Sequence, residues 1–260
     1  MDITKYRTDT QKDAKEFDKN ISEWLIETKT ARFGYCRKYF LNILKTFNLK
    51  GKKVLELGCG LSPFLPQMRD SKNYGLNNSK KLIKLNNPKD GRFIAGDMLQ
   101  CSQYFNQKFD FVFMSGVIHH LNPADHRLAL QEINKVMKNK GLLLFCEPNM
   151  RSVTGIYYLT RKLIEGLFGR DFLFKLVGFS SEDEKYLFPG KFIKTLNKNG
   201  FKVKKMSSIQ ILRLPPLKKF RKFNIEWANN VIDKIFGRLN FGTVLIIICQ
   251  KNKECTSQKF

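Results

Sequence analysis

The 260-residue sequence predicts a doubly wound α/β fold, with a seven-stranded, mostly parallel sheet flanked by helices. Three observations carry that expectation. Seven short apolar runs alternate with segments of helical period. The first of these runs ends in Gly58-Cys59-Gly60, a glycine-rich exit suited to a central parallel strand. A composition of 42% apolar and 13% aromatic residues supplies one large core. The length suits a single domain carrying an inserted subdomain.

Two amphipathic helical patterns, over residues 13–27 and 31–47, precede the first strand, Lys53-Val54-Leu55-Glu56-Leu57. Pro63 opens a short helix reaching residue 69, and Tyr74-Gly75-Leu76-Asn77 forms the second strand. Ser79 is placed to cap a helix ending near Leu85, because its hydroxyl can accept from a free amide of the first turn. Residues 92–95 and 109–114 give the third and fourth strands, and a helix over 123–137 follows. Asn139-Lys140-Gly141 reads as the turn into a fifth strand at 142–146. Beyond Pro148 the alternation stops. Residues 151–178 form an aromatic-rich helical insertion with Val153, Ile156, Tyr157 and Ile164 on one face, punctuated by glycines. A helix at 189–197, the turn Asn199-Gly200 and a strand at 201–206 resume the pattern. A second irregular stretch, 207–222, leads to a helix at 225–236 and a last apolar strand at 242–249. Two such excursions from a compact sheet are expected to form a lid over its carboxyl edge, where ligands of this architecture collect.

The charge is one-sided, with 47 Lys and Arg against 23 Asp and Glu, a net +24. Abundant Phe, Leu and Ile nevertheless exclude disorder, and no run approaches the length of a membrane-spanning segment. The first twenty residues lack the apolar core of a secretory signal, which places the chain in the cytoplasm. Six scattered cysteines without a C-x-x-C pair, beside three histidines, read as reduced thiols, with no metal site. Residues 151–260 are the more basic part. Their densest run, Leu217-Lys218-Lys219-Phe220-Arg221-Lys222-Phe223, suits peripheral contact with a membrane surface or an anionic substrate, and is equally what a compositional lysine bias would produce. Charge of this sign also suits nucleic acid, though it decides association and not chemistry.

The motifs sit at strand exits. Glu56-Leu57-Gly58-Cys59-Gly60-Leu61-Ser62-Pro63 is a strand running into Gly-x-Gly, where backbone can approach a ligand and free amides open the next helix. Asn77 and Asn78 end the second strand, Gly96-Asp97-Met98 the third, and Ser115-Gly116-Val117-Ile118-His119-His120-Leu121 the fourth; Glu147-Pro148-Asn149 leaves the fifth. A nicotinamide-binding site would place a third glycine where Pro63 stands. The series over residues 50–150 resembles the class I S-adenosylmethionine-dependent methyltransferase family, in its small-molecule, type 11-12-like branch. That resemblance implies a Rossmann-like methyltransferase fold with N-terminal helices and a helical lid. The chain then divides into an N-terminal cap (1–50), a cofactor-binding core (51–150), a lid insertion (151–188) and a C-terminal part of the sheet (189–260) interrupted at 207–236. Together these make one methyltransferase domain.

The resemblance further implies that Gly58, Cys59 and Gly60 pass beneath the methionine part of S-adenosylmethionine, with Glu56 toward its ammonium group. Asp97 would accept from the adenine amino group, Met98 would pack on the ring, and Ser115 would border the sulfonium. A helix-capping Asp97 and a core-filling Met98 are the competing readings. Asn77 departs from the family pattern: an acidic residue there ordinarily binds both ribose hydroxyls, and an amide offers weaker pairing without charge. Ser62 replaces a third glycine.

Methyl transfer needs alignment, exclusion of water and, for a hydroxyl acceptor, a base of near-neutral pKa. His119 and His120 follow the fourth strand; adjacent side chains diverge, so one of them, His119 by preference, is expected to face the acceptor, unless both merely support the loop. His126 is expected to be solvated. Glu147 and Asn149 are candidates for holding substrate or for shaping the turn. Tyr157 and Tyr158, with neighbouring phenylalanines and Arg161, Lys162 and Arg170, would wall an apolar cavity for a hydrophobic or lipid-like small molecule, or pack the lid against itself. An RNA or other nucleic-acid methyltransferase, for which no Asn-Pro-Pro-Tyr motif is present, and a catalytically silent methyltransferase-fold protein at a membrane surface are the alternatives.

Overall fold

The computed structural model describes residues 31–60, 64–85, 92–152, 187–210 and 226–252, with the separate positions 15, 19, 155, 163 and 166–168. Seven strands form one sheet: β1 (Lys53–Leu57), β2 (Lys72–Asn77), β3 (Phe93–Ala95), β4 (Phe109–Ser115), β5 (Met137–Pro148), β6 (Phe201–Ile209) and β7 (Val244–Lys251). Their order is β3-β2-β1-β4-β5-β7-β6. The first five are mutually parallel, and β7 runs antiparallel to both β5 and β6. The doubly wound, mostly parallel expectation therefore holds, with the order reversing between β1 and β4, where such sheets open a ligand crevice.

The period-2 alternation of each strand splits its side chains between two cores. Leu55 and Leu57 of β1, Val112 and Met114 of β4, and Leu143 and Phe145 of β5 pack against α3 (Asp125–Val136) and α4 (Pro189–Lys198) through Leu130, Ile133, Phe192 and Leu196. Val54, Phe111, Phe113, Leu144 and Ile246 face the other way onto α1 (Ala31–Lys45), whose Phe40 and Leu44 are fully buried. Phe40 meets Phe64 edge-on at 4.9 Å between centroids, one of several such ring pairs filling that layer.

Local sequence explains the helix ends. Ser79 Oγ accepts from Leu82 N at 3.0 Å, capping α2 (Lys80–Leu85) as expected. Lys251, buried at the end of β7, donates from Nζ to the carbonyls of Asn134 (2.7 Å) and Met137 (3.0 Å), satisfying orphan acceptors at the end of α3 where a cation is also favoured by the helix dipole. Gly200, at φ +83°, makes the reversal from α4 into β6.

Three expectations about element bounds change. Residues 139–141 are not a free turn: β5 begins at Met137 and passes through a register shift opposite Phe109 and Phe111. Gly141 permits this, because a Cβ there would lie 2.8 Å from the Lys138 carbonyl and 3.2 Å from that of Asp110. The strand read as 201–206 continues to Ile209, because Ser208 Oγ accepts from Gly242 N at 2.8 Å and so lets polar residues remain in the ladder. In place of an α-helix from Pro63, the described residues show a single 3₁₀ turn, Leu65–Gln67. Helix α5 (Glu226–Phe236) lies where the pattern put it. Most of the helix expected over 13–27, most of the insertion at 151–188 and residues 211–222 of the second irregular stretch lie outside the described residues. Among the described residues no helix is long and apolar enough to cross a membrane, and Cys36, Cys59, Cys101, Cys146 and Cys249 are free thiols.

Candidate active site

The loops that leave β1 to β5 meet at the carboxyl edge of the sheet. Gly58 and Gly60 both adopt left-handed backbone, at φ +66° and +47°. The amides of Gly58 and Cys59 donate to the Leu76 carbonyl at 2.8 and 3.1 Å, pinning this loop across the end of β2. Any Cβ at Gly58 would run into the Val117 side chain, so glycine is required there by both conformation and space. Glu56 is buried beneath the loop. Burial, reinforced by the charge of Glu56, pushes the Cys59 thiol far up, which leaves it an unreactive packing group.

At the β2 exit the Asn77 amide oxygen is already engaged, accepting from Ser79 N at 2.8 Å in a turn that launches α2. A ribose hydroxyl donating to this oxygen would thus share it with an amide of the protein. Asn78 beside it is exposed. Asp97 is half-buried; its Oδ1 accepts from Leu99 N at 2.9 Å and caps the 3₁₀ segment Met98–Gln103, the local role weighed against purine recognition. Met98 is buried in the core. Tyr104 closes over Gly96, where a Cβ would approach the ring to 2.5 Å, and its hydroxyl accepts from Asp97 N at 3.4 Å.

Glu147 organises the fourth and fifth exits. Only 1% exposed, it accepts from Val117 N (3.0 and 3.2 Å to its two oxygens), from Ile118 N (3.2 Å) and from His119 Nδ1 (2.8 Å). A carboxylate only accepts, so the proton of a neutral His119 ring resides on Nδ1 and the lone pair on Nε2. Gly116, at φ +70°, turns the chain out of β4 so that this can happen, and its amide donates to Cys146 O at 2.9 Å. Ser115 is half-buried beside the turn and hydrogen-bonds the Cys146 thiol.

Several expected roles change here. Glu147 does not present its carboxylate to a substrate, because backbone amides and His119 hold both oxygens. Asn149 is fully buried, with its amide donating to Asn240 O (2.9 Å) and Gly242 O (2.8 Å) and its oxygen accepting from Arg151 N (3.1 Å); it is a structural clamp. His119 and His120 do not diverge: the 3₁₀ turn Ile118–His120 keeps their rings 4.1 Å apart. Nor is His126 solvated; it is buried against Phe192, with Nε2 on the Ile118 carbonyl at 3.1 Å. Tyr157 and Tyr158 lie outside the described residues. Val117 was invisible in the sequence, since nothing local marks it as the neighbour of Gly58.

A seven-stranded sheet in this order, with glycine-shaped loops at its carboxyl edge, has the Rossmann-like architecture the sequence predicts. Residues 55–145 match the family model described as a methyltransferase domain. Over 203 residues the chain is 26% identical to a demethylmenaquinone methyltransferase from Thermotoga maritima, covering 72% of this chain and 86% of that one. In structure it is similar to a SAM-dependent methyltransferase from Archaeoglobus fulgidus (TM-score 0.57, 19% identity, 88% and 99% of the two chains). It is likewise similar to magnesium protoporphyrin IX methyltransferase from Synechocystis with bound SAH (TM-score 0.63, 16% identity, 94% and 100%). These matches agree with the resemblance to class I S-adenosylmethionine-dependent methyltransferases read from residues 50–150, and they support S-adenosylmethionine as the cofactor.

Proposed function

We propose that this methyltransferase acts on a small, hydrophobic acceptor, with His119 taking the acceptor's proton. The His119–Glu147 pair carries the reading: a buried carboxylate fixes Nδ1 as donor and so presents Nε2 as the basic atom of the loop at the β4 exit. S-adenosylmethionine supplies an electrophilic methyl carbon when bound. Gly58, Cys59 and Gly60, whose glycines hold the loop in left-handed backbone at the end of β1, would carry its amino-acid end, with Glu56 nearby. Asn77, Asn78, Asp97, Met98 and Ser115 would border the rest. With a hydroxyl acceptor, Nε2 of His119 would take the proton released as the acceptor oxygen gains the methyl group; His120, its ring tilted against that of His119 at 4.1 Å, would help hold it in place.

An apolar acceptor is favoured by the relatives named for demethylmenaquinone and for magnesium protoporphyrin IX, and by the aromatic insertion bearing Tyr157 and Tyr158. Peripheral membrane contact through the basic C-terminal region belongs to the same reading, since such acceptors partition into lipid. The test is methyl incorporation from radiolabelled S-adenosylmethionine into pools of quinone-like phenols, lipids, free sugars and tRNA. Product confined to the apolar pools is expected; product in the sugars or tRNA alone would end the proposal.

A further inference from the structure

Helix α5 turns its polar side inward. Asp233, 6% exposed, accepts from the Tyr35 hydroxyl at 2.8 Å and from Gln210 N at 2.7 Å, and Asn229 is equally buried. The outward face carries Trp227, Val231 and Ile235, four residues apart and therefore on one stripe, at 75%, 54% and 63% exposure. Leu239 and Phe241, each 56% exposed, prolong the apolar surface past the helix. Lys234, seven residues after Trp227 and so on its side of the helix, and Arg238 just past the helix are exposed too, whereas Asp233 points away from solvent. A soluble amphipathic helix ordinarily buries its large apolar residues, so a face of this kind marks a contact surface.

We propose that the outward face of α5, continued by Leu239 and Phe241, docks on an anionic lipid bilayer. The proposal rests on the membrane contact inferred above and assigns the element that makes it. Trp, Val and Ile beside Lys and Arg is the pattern of a helix lying in the interface of a negatively charged membrane. The basic run at 218–222 immediately precedes the helix in sequence and adds attraction of the same sign. A second copy is the poorer occupant, because association would set two cationic faces together on chains that each carry +24. Nucleic acid is poorer still, since Val231 and Ile235 offer a phosphate nothing. The placement suits an apolar acceptor as well: Asn149 clamps residues 240–242 to the exit of β5, so the α5 connection and the His119–Glu147 pair lie at the same edge of the sheet.

The full chain would be sedimented with phosphatidylcholine vesicles, with and without phosphatidylglycerol, alongside a variant combining Trp227→Ser, Val231→Ser and Ile235→Ser. Expected are binding to the anionic vesicles alone, weakening at high salt, and a loss of at least about tenfold in the variant. S-adenosylmethionine affinity and melting temperature should be unchanged in that variant, which shows that it folds. In a Trp24→Phe background, Trp227 emission should move to the blue on anionic vesicles. Parent and variant binding alike, with Trp227 emission unmoved, would overturn the assignment of α5 while leaving membrane contact intact. A parent chain that ignores both vesicles would overturn the two together, and a variant altered only in self-association would give the face to a second copy.

Discussion

Two ends of one sheet use their buried and half-buried acids differently. At the amino edge, Asp110 accepts from Lys138 at 2.8 Å and from Lys53 N at 2.9 Å, and in the nearby helix layer Glu132 accepts from Lys135 (2.6 Å) and from Ser102. At the carboxyl edge, Glu147 receives backbone amides and a histidine. The first pattern ties strands and helices together with lysines that remain partly in water; the second spends a buried charge on aiming a ring. A carboxylate committed to loop amides and an imidazole thus sets apart the edge at which the active site is proposed.

The contrast is broken most severely by Glu147→Ala. Three donors lose their acceptor and His119 loses its tautomer lock, so methyl transfer is expected to fall by about 10²-fold or more. Measured turnover within a few-fold of the parent would remove Glu147 from the working end. Next is Gly58→Ala, which forces a side chain into left-handed backbone at about 1–2 kcal/mol and against Val117. S-adenosylmethionine affinity by calorimetry should drop at least about tenfold.

Glu132→Gln sharpens the other side. Burial opposes ionisation of Glu132, but Lys135 and Ser102 outweigh it and hold its carboxyl below the usual range. A lowered folded-state pKa contributes stability above the unfolded carboxylate range and loses it as pH falls through the folded value. The variant should therefore be less stable at neutral pH, by about 1 kcal/mol or less, with the gap closing in acid and turnover unaffected. Denaturant melts at several pH values would show it; a gap that widens in acid would contradict the assignment. The smallest effect is chemical. Burial pushes the thiols of Cys101 and Cys249 up to about 12, so neither should react with iodoacetamide at neutral pH until the chain unfolds. Mass spectrometry before and after denaturation reads the difference.

Much of the site was legible because strand exits carry short-range signals. Gly58 and Gly60 announce unusual backbone, Ser79 announces a helix start, and the two histidines after β4 announce chemistry. His126 was misjudged because helical spacing alone does not say that Phe192, some sixty residues on, covers it. Glu147 and Asn149 look alike in sequence, flanking Pro148 at a strand exit, yet one aims His119 and the other clamps the segment that leads into β7.

The sequence by itself determined the strand alternation, the glycine turns and the family resemblance, since these depend on period and on residues a few positions apart. Only the tertiary structure decided which acids meet amides and which meet lysines, that Val117 closes on Gly58, and that α5 faces outward with its apolar stripe. Apart from the Glu132–Lys135 pair within one helix, those contacts join positions from about 30 to nearly 200 residues apart, and a partner at such a distance is chosen by how the strands are ordered in the sheet, which no local pattern encodes.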